Sequence, residues 1–281
     1  MWKSLCVLFI FSFLLASCQI QANNIEINDD TVQNTDAVSE IEATQEVIIY
    51  DEANLIIFLK GANYNTDGVR IDLLFVNNSE YSLTFSCSTF VVNNIMIDTF
   101  VYTEIAAGAK SNTSIYLDGY DLDIAGIERI NAVRSYDAHI SYDASNMDDL
   151  PISLDMSFSN DPQQIIDETG CVLYAENGIT IFSKFVSGEN NGKIPILIKN
   201  ESDMDLNVWT SCVTVNGHSV QEWHYAYTIC NDSYRFLEIE LAEDSLESNN
   251  IDTIENASFT IDFLDPHSTE SIFSTGQLYV E

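Results

Sequence analysis

The chain has 281 residues and a hydrophobic share of 46%, enough for two folded units that each bury a core. Its 44 acidic residues against 10 basic give a formal charge of -34, which repels a phosphate backbone and leaves no basic stripe to neutralise one. Nucleic acid is thereby excluded as a partner, and most of the acid is expected to form a solvated face rather than a dedicated cation store.

The first segment, 1–17, reads MWKSLCVLFIFSFLLAS, with Lys3 followed by an apolar run too short to span a membrane. These are the charged and hydrophobic regions of a secretion signal. The run ends in Leu15-Ala16-Ser17-Cys18, which resembles the lipobox of bacterial lipoproteins. That resemblance implies lipidation of Cys18, removal of the signal peptide and a mature protein held on the membrane at its extracytoplasmic face. Two acyl chains make such attachment stable, at about 0.8 kcal/mol per buried methylene. Residues 18–45 follow with few large apolar side chains and no Gly or Pro, and read as an acidic, disordered tether.

Beyond the tether the chain repeats itself. Tyr50, Glu52, Phe58, Lys60 and Gly68 return as Tyr174, Glu176, Phe182, Lys184 and Gly192 at a constant offset of 124. The offset becomes 123 from Asn77 to Asn200 and from Asn93 to Asn216, then returns to 124 from Ile115 to Ile239 and from Ile130 to Ile254. A period this long exceeds the roughly 20–50 residues of a solenoid unit, so each copy is expected to be a whole domain. The boundaries are placed at 46–158 for the first copy, 159–170 for a linker containing Pro162, and 171–281 for the second.

Within each copy apolar residues alternate. Val69, Ile71, Leu73 and Phe75 share one parity, and Ile194, Ile196 and Ile198 repeat it, which is the period of strands. Asp67-Gly68, Asn191-Gly192, Asn93-Asn94 and Asn216-Gly217 supply the positive-φ residues that tight hairpin turns need. The segments from Leu122 to Ile130 and from Leu246 to Ile254 suggest a turn or brief helical crossing. About seven or eight strands per copy predict an all-β chain of two tandem Ig-like β-sandwich domains, with a small barrel as the second choice.

The motifs NGITIFSK, ILIKNESDMDLNVWTSCVTVNG, AAGAKSN and GIERI span both copies and resemble a group of cell-surface lipoproteins from Firmicutes, in which Ig-like domains follow a lipobox and a low-complexity tether. The resemblance implies fold and location, and it brings no catalytic residues and no cofactor.

Few constellations carry chemistry. Cys212, His218, His224 and Cys230 recur at a spacing of six, unlike common zinc fingers, and a hairpin turning at Asn216-Gly217 separates the histidines, so no metal is expected there. Cys87, Cys171, Cys212 and Cys230 permit two disulfides in three connectivities, with Cys212 to Cys230 as one open pairing, whereas the shared parity of Cys87 and Cys212 fits small buried residues. The loop 63–68, NYNTDG, starts like a calcium loop but has Leu74 where a bidentate Glu is needed, and reads as a hairpin. Asp118, Asp121 and Asp123 form a candidate cation cluster. Trp223, Tyr225 and Tyr227 share a strand parity and are candidate ligand contacts, set against the plainer expectation that alternating aromatics face a core.

No G-x-S-x-G, H-E-x-x-H or phosphate-binding glycine loop occurs, and none of the four histidines recurs between copies. The sequence therefore predicts a protein that is not an enzyme, acting as an envelope interaction or spacer module whose partner is another envelope protein or cell-wall glycan. A carbohydrate-binding or cation-binding lipoprotein is the alternative, and a secreted hydrolase built on carboxylates ranks last.

Overall fold

The computed structural model describes residues 40–41, 46–143, 149–159, 165–188, 192–223, 226–268 and 270–281. The signal segment, Cys18 and most of the tether lie outside the described residues, as do His224 and Tyr225. Val38–Glu281 forms one compact unit.

The first copy runs through β1 (Glu40–Ile41), β2 (Val47–Glu52), β3 (Leu55–Asn65), β4 (Gly68–Asn77), β5 (Leu83–Val92), β6 (Ile95–Ile105) and β7 (Lys110–Asp118). It then passes through α1 (Gly119–Ile124), β8 (Ala132–Ser135), β9 (His139–Tyr142), β10 (Leu150–Pro151) and β11 (Asp155–Ser157). The second copy comprises β12 (Val172–Glu176), β13 (Ile179–Ser183), β14 (Lys193–Asn200), β15 (Leu206–Val215), β16 (His218–Ser219), β17 (Tyr227–Ile229) and β18 (Ser233–Glu240). After α2 (Glu243–Ser248) it closes with β19 (Ala257–Leu264) and β20 (Ser271–Val280).

Each copy is a two-sheet sandwich. In the first, β2, β3, β4 and β7 pair in that order, while β5 lies between β6 and the short β8 and β9. In the second, β12, β13, β14 and β18 pair likewise, and β15 lies between β16 and β17 on one side and β19 and β20 on the other. The second strand of each copy thus pairs with the third, whereas immunoglobulin constant domains set strand B beside strand E. The likeness to that group is one of architecture, two antiparallel sheets packed face to face.

Alternation explains the two cores. Val69, Ile71, Leu73 and Phe75 of β4 are buried with Phe85 and Phe90 of β5, and Ile194, Ile196 and Ile198 of β14 are buried with Phe259 and Phe263 of β19. A bulge between Leu59 and Gly61 switches the inward parity of β3 from Leu55, Ile57 and Leu59 to Ala62.

The duplication is written in side-chain hydrogen bonds. Asn77 donates through Nδ2 to the carbonyls of Tyr81 (2.8 Å) and Ile105 (3.1 Å), and its Oδ1 accepts from the backbone (2.9 Å) and hydroxyl (2.7 Å) of Ser79. Asn200 does the same with Met204 (3.0 Å), Ile229 (3.3 Å) and Ser202 (3.0 and 2.6 Å). A second pair, Asn93 and Asn216, sits at φ of 49° and 50° in two hairpin turns. Their Nδ2 groups donate to Arg129 O (2.6 Å) and Thr253 O (2.7 Å), and their Oδ1 atoms accept from the backbone of Asn131 (2.8 Å) and of Glu255 (2.9 Å). The expected helical crossings are α1 and α2, each burying one leucine, Leu122 and Leu246.

One turn differs from expectation. The β3–β4 hairpin turns on Thr66 and Asp67, with Gly68 paired to Asn65 as the first residue of β4. Gly68 has φ of 140°, and a Cβ there would lie 2.1 Å from the Leu117 carbonyl oxygen, so glycine serves close approach to β7 rather than the turn.

The copies are joined edge to edge. The start of β6 lies parallel to β18, with Ile95 opposite Tyr234 and the Tyr234 N–H donating to Asn94 O at 2.8 Å. Val91 and Met96 of the first copy are buried in the core of the second.

Candidate functional site

The junction gathers the polar chemistry. Ser233, Arg235, Leu237 and Ile239 occupy the buried parity of β18, which sends an arginine inward among apolar residues. The Arg235 side chain is 5% exposed and is ion-paired through Nη2 with Asp98 of β6. Its Nη1 donates to Thr228 O at 3.0 Å, its guanidinium lies 4.8 Å from the Tyr227 ring centre, and its Nε has no hydrogen-bond partner among the described residues. The first two interactions offset the cost of burying the charge.

On the outward parity of β18, Glu238 accepts from Lys193 Nζ at 2.5 Å and from the Tyr120 hydroxyl at 3.3 Å, with Glu240 3.6 Å from the same ammonium. The hydrogen bond to Glu238 raises the Lys193 pKa against the opposing effect of burial. Farther along, the Tyr136 hydroxyl donates to Asp205 at 3.0 Å, and burial followed by the Asp205 charge holds that phenol above its ordinary range. A cavity of about 160 Å³ opens beside Arg235 and Glu238, with Asp98, Tyr120 and Asp121 lining it from the first copy and Tyr227 from the second.

The three candidate aspartates are separated by role. Asp118 caps α1 by accepting from Tyr120 N at 2.8 Å, Asp121 lines the junction cavity, and Asp123 lines a different cleft beside Tyr64 and Glu128. Among the described residues no group of three His, Cys, Asp or Glu side chains is placed to hold a metal ion. Burial raises the Asp121 pKa, and the negative charges of Asp118, Asp98 and Glu238 add to it against Arg235.

The aromatic candidates also part. Trp223 is 58% exposed, correcting the core expectation. The pairing of β16 ends at Ser219 and Val220 takes the buried place, so the parity assumed from Trp223 to Tyr227 does not run through one strand. Trp223 lines an open cleft of about 1110 Å³ with Glu240, Glu243, Asp244, Glu247 and Asp252, most of them supplied by α2 or its flanks. Tyr227 instead lies beneath the Arg235 guanidinium, and Tyr225 is outside the described residues.

All four described cysteines are free, with Cys87 and Cys230 buried and Cys171 and Cys212 exposed. The exposure of Cys212 corrects the expectation of a second small buried residue. A bulge between Ser211 and Thr214 places Cys212 at φ of 56°, which turns it outward. His218, the other described member of the evenly spaced quartet, is exposed.

Asp98, Lys193, Arg235 and Glu238 were not singled out by sequence, although one signal was available. Arg235 is an arginine at an inward position of an alternating strand in a chain with only 10 basic residues. No protein-family model matches the chain, and no curated protein matches it.

Proposed function

We propose that this protein is a non-catalytic binding or spacer module of the cell envelope, held at the extracytoplasmic face of a membrane through a lipid on Cys18. The attachment rests on Leu15-Ala16-Ser17-Cys18 behind an apolar run. The observation that carries the binding role is the junction, where edge pairing, a shared core and the Asp98–Arg235 ion pair join two sandwiches into one body. Such a body presents loops and edges in a fixed relation, which lowers the ordering cost of engaging a second envelope component.

The test is cross-linking of the anchored protein on its own cells, followed by mass spectrometry, beside a Cys18→Ala variant. One dominant envelope protein on the wild type, with release of the variant to the medium, is the expected result. Recovery of nothing specific under conditions that trap a known neighbour would overturn the binding role. Retention of the variant on the membrane would overturn the anchor.

A second reading, binding of a carbohydrate or cation, is favoured by the exposed Trp223 ring beside the acidic cleft. Trp223→Ala would then lose affinity for wall glycan while melting within a few degrees of wild type; unchanged affinity would remove this reading.

A further inference from the structure

We propose that the outward face of β5, β6 and β9 in the first copy binds a glycan strand, with Phe100 and Tyr102 stacking on its uncharged pyranose rings. The inference goes beyond the binding-module reading by naming a partner class and a surface, and it rests on that reading only in placing the folded part within the envelope.

The face follows from strand register. Ser86 of β5 lies opposite Tyr102 of β6 on one side and His139 of β9 on the other, and in the next outward row Thr84 lies opposite Glu104. Leu83, Phe85 and Cys87 alternate with these residues into the core, so the row of His139, Ser86 and Tyr102 belongs to the outer face. Beyond Tyr102 a bulge between Cys87 and Thr89 interrupts the pairing, and Phe100 stands there 72% exposed, against 54% for Tyr102. The two ring centres are 6.4 Å apart and their planes are 22° from parallel.

The chemistry of the face selects the partner. A pyranose presents a face of C–H bonds edged by hydroxyls, so it is matched by the electron-rich face of an aromatic ring with neighbours that both donate and accept hydrogen bonds. Thr84, Ser86 and His139 are such neighbours, with Ser86 Oγ 2.8 Å from His139 Nε2, and the Tyr102 hydroxyl donates to Glu104 Oε1 at 2.7 Å. A protein interface would surround the rings with an apolar core, whereas the neighbours of Tyr102 in register are polar. The formal charge of -34 repels an acidic polymer and leaves an uncharged one unaffected.

A second, independent observation comes from the duplication. At the offset of 123 that relates Asn93 to Asn216, Phe100 aligns with Trp223 and Tyr102 with Tyr225. Trp223 is 58% exposed, and neither it nor Phe100 belongs to a core. A large ring therefore stands in solvent at the same place in both copies, where packing does not require one.

The experiment is sedimentation of the full chain, in detergent, with insoluble wall glycan from its own cells, freed of protein by protease and assayed before and after acid removal of phosphate-linked polymers. A Trp223→Ala background keeps the ring of the second copy from masking the first. This background is expected to bind saturably, and no less after acid treatment. Adding Phe100→Ala and Tyr102→Ala is expected to weaken binding at least about tenfold. Tyr102→Phe, which keeps the ring, and Tyr279→Ala, which removes a lone aromatic 64% exposed on β20, should each stay within about twofold of the background. All the substituted rings are exposed, and melting within a few degrees of wild type checks that the fold survives. Absence of saturable binding in the Trp223→Ala background, loss of binding on acid treatment, an unaffected Phe100→Ala/Tyr102→Ala pair, or an equal loss in Tyr279→Ala would overturn the proposal. Each of these leaves a protein captured by cell-surface cross-linking standing, and failure to capture one leaves the glycan result standing, so the two readings fail separately.

Discussion

Asp98 and Arg235, 137 residues apart in the chain, meet as an ion pair that ties the edge of one sandwich to the edge of the other. The arginine is buried while Asp98 is half exposed, so the pair is asymmetric: removing the aspartate strands a buried charge. Asp98→Asn is expected to cost about 1–2 kcal/mol, below the full penalty of a wholly buried pair because solvent reaches the aspartate side. Urea unfolding measures it, and a loss smaller than about 0.5 kcal/mol would show that the pair contributes little.

The two asparagine clamps provide an internal control. Asn77 and Asn200 are each 0% exposed, and each makes one fully buried hydrogen bond to a carbonyl oxygen, that of Ile105 and that of Ile229. Asn77→Ala and Asn200→Ala should each destabilise by about 2–3 kcal/mol, since buried acceptors are left unmatched. Thermal melting would test the equivalence. A clear loss in one copy and none in the other would mean that the repeated geometry does not carry repeated energy.

Thiol reactivity should divide the cysteines. Burial, then the Asp137 charge, pushes the Cys87 thiol up to about 12, and its Sγ donates to Thr89 O at 3.3 Å. Alkylation of the native chain at about pH 8, mapped by peptide mass spectrometry, should modify Cys171 and Cys212 first and leave Cys87 and Cys230 until unfolding. Early modification of Cys87 would contradict its placement.

Asp137 gives a pH dependence with a defined sign. Burial acts to raise its carboxyl, but hydrogen bonds from Ser88 and Thr89 outweigh burial and hold it below the ordinary carboxylate range. A depressed folded-state value adds stability above the unfolded value of about 4, and that contribution disappears as the pH falls through the folded value. The stability gap between wild type and Asp137→Asn should therefore hold steady from neutral pH to about 5 and narrow below about 4. A gap that stays constant down to about pH 2 would remove the carboxylate from the account.

Much of the architecture is legible in the sequence because strand parity is local. Ile194, Ile196 and Ile198 announce a buried face by themselves, and the Asn216-Gly217 turn is set by two residues. The candidate site is less legible because it depends on which strand edges meet. Asp121 and Tyr227 both appear among the sequence candidates, yet nothing local states that they line one cavity. The parity argument failed at Trp223 and Cys212 for a shared reason, since a strand end and a bulge each break the period of two on which it relied. At β7, Ser111 stands at the 124 offset from Arg235, so the polar edge of the first copy lacks the arginine that docks the second. This departure between copies is visible in the alignment, and its meaning emerges only once the junction is known.

The docking of the two copies is tested most directly by urea unfolding of the full chain followed with two probes. Tryptophan fluorescence reports chiefly on the second copy, which holds Trp209 and Trp223, the third tryptophan being Trp2 in the leading segment; far-ultraviolet circular dichroism reports on the strands of both. A single docked body predicts coincident transitions with one midpoint. Two separated transitions, with fluorescence following only one of them, would contradict the junction on which the proposed binding module is built.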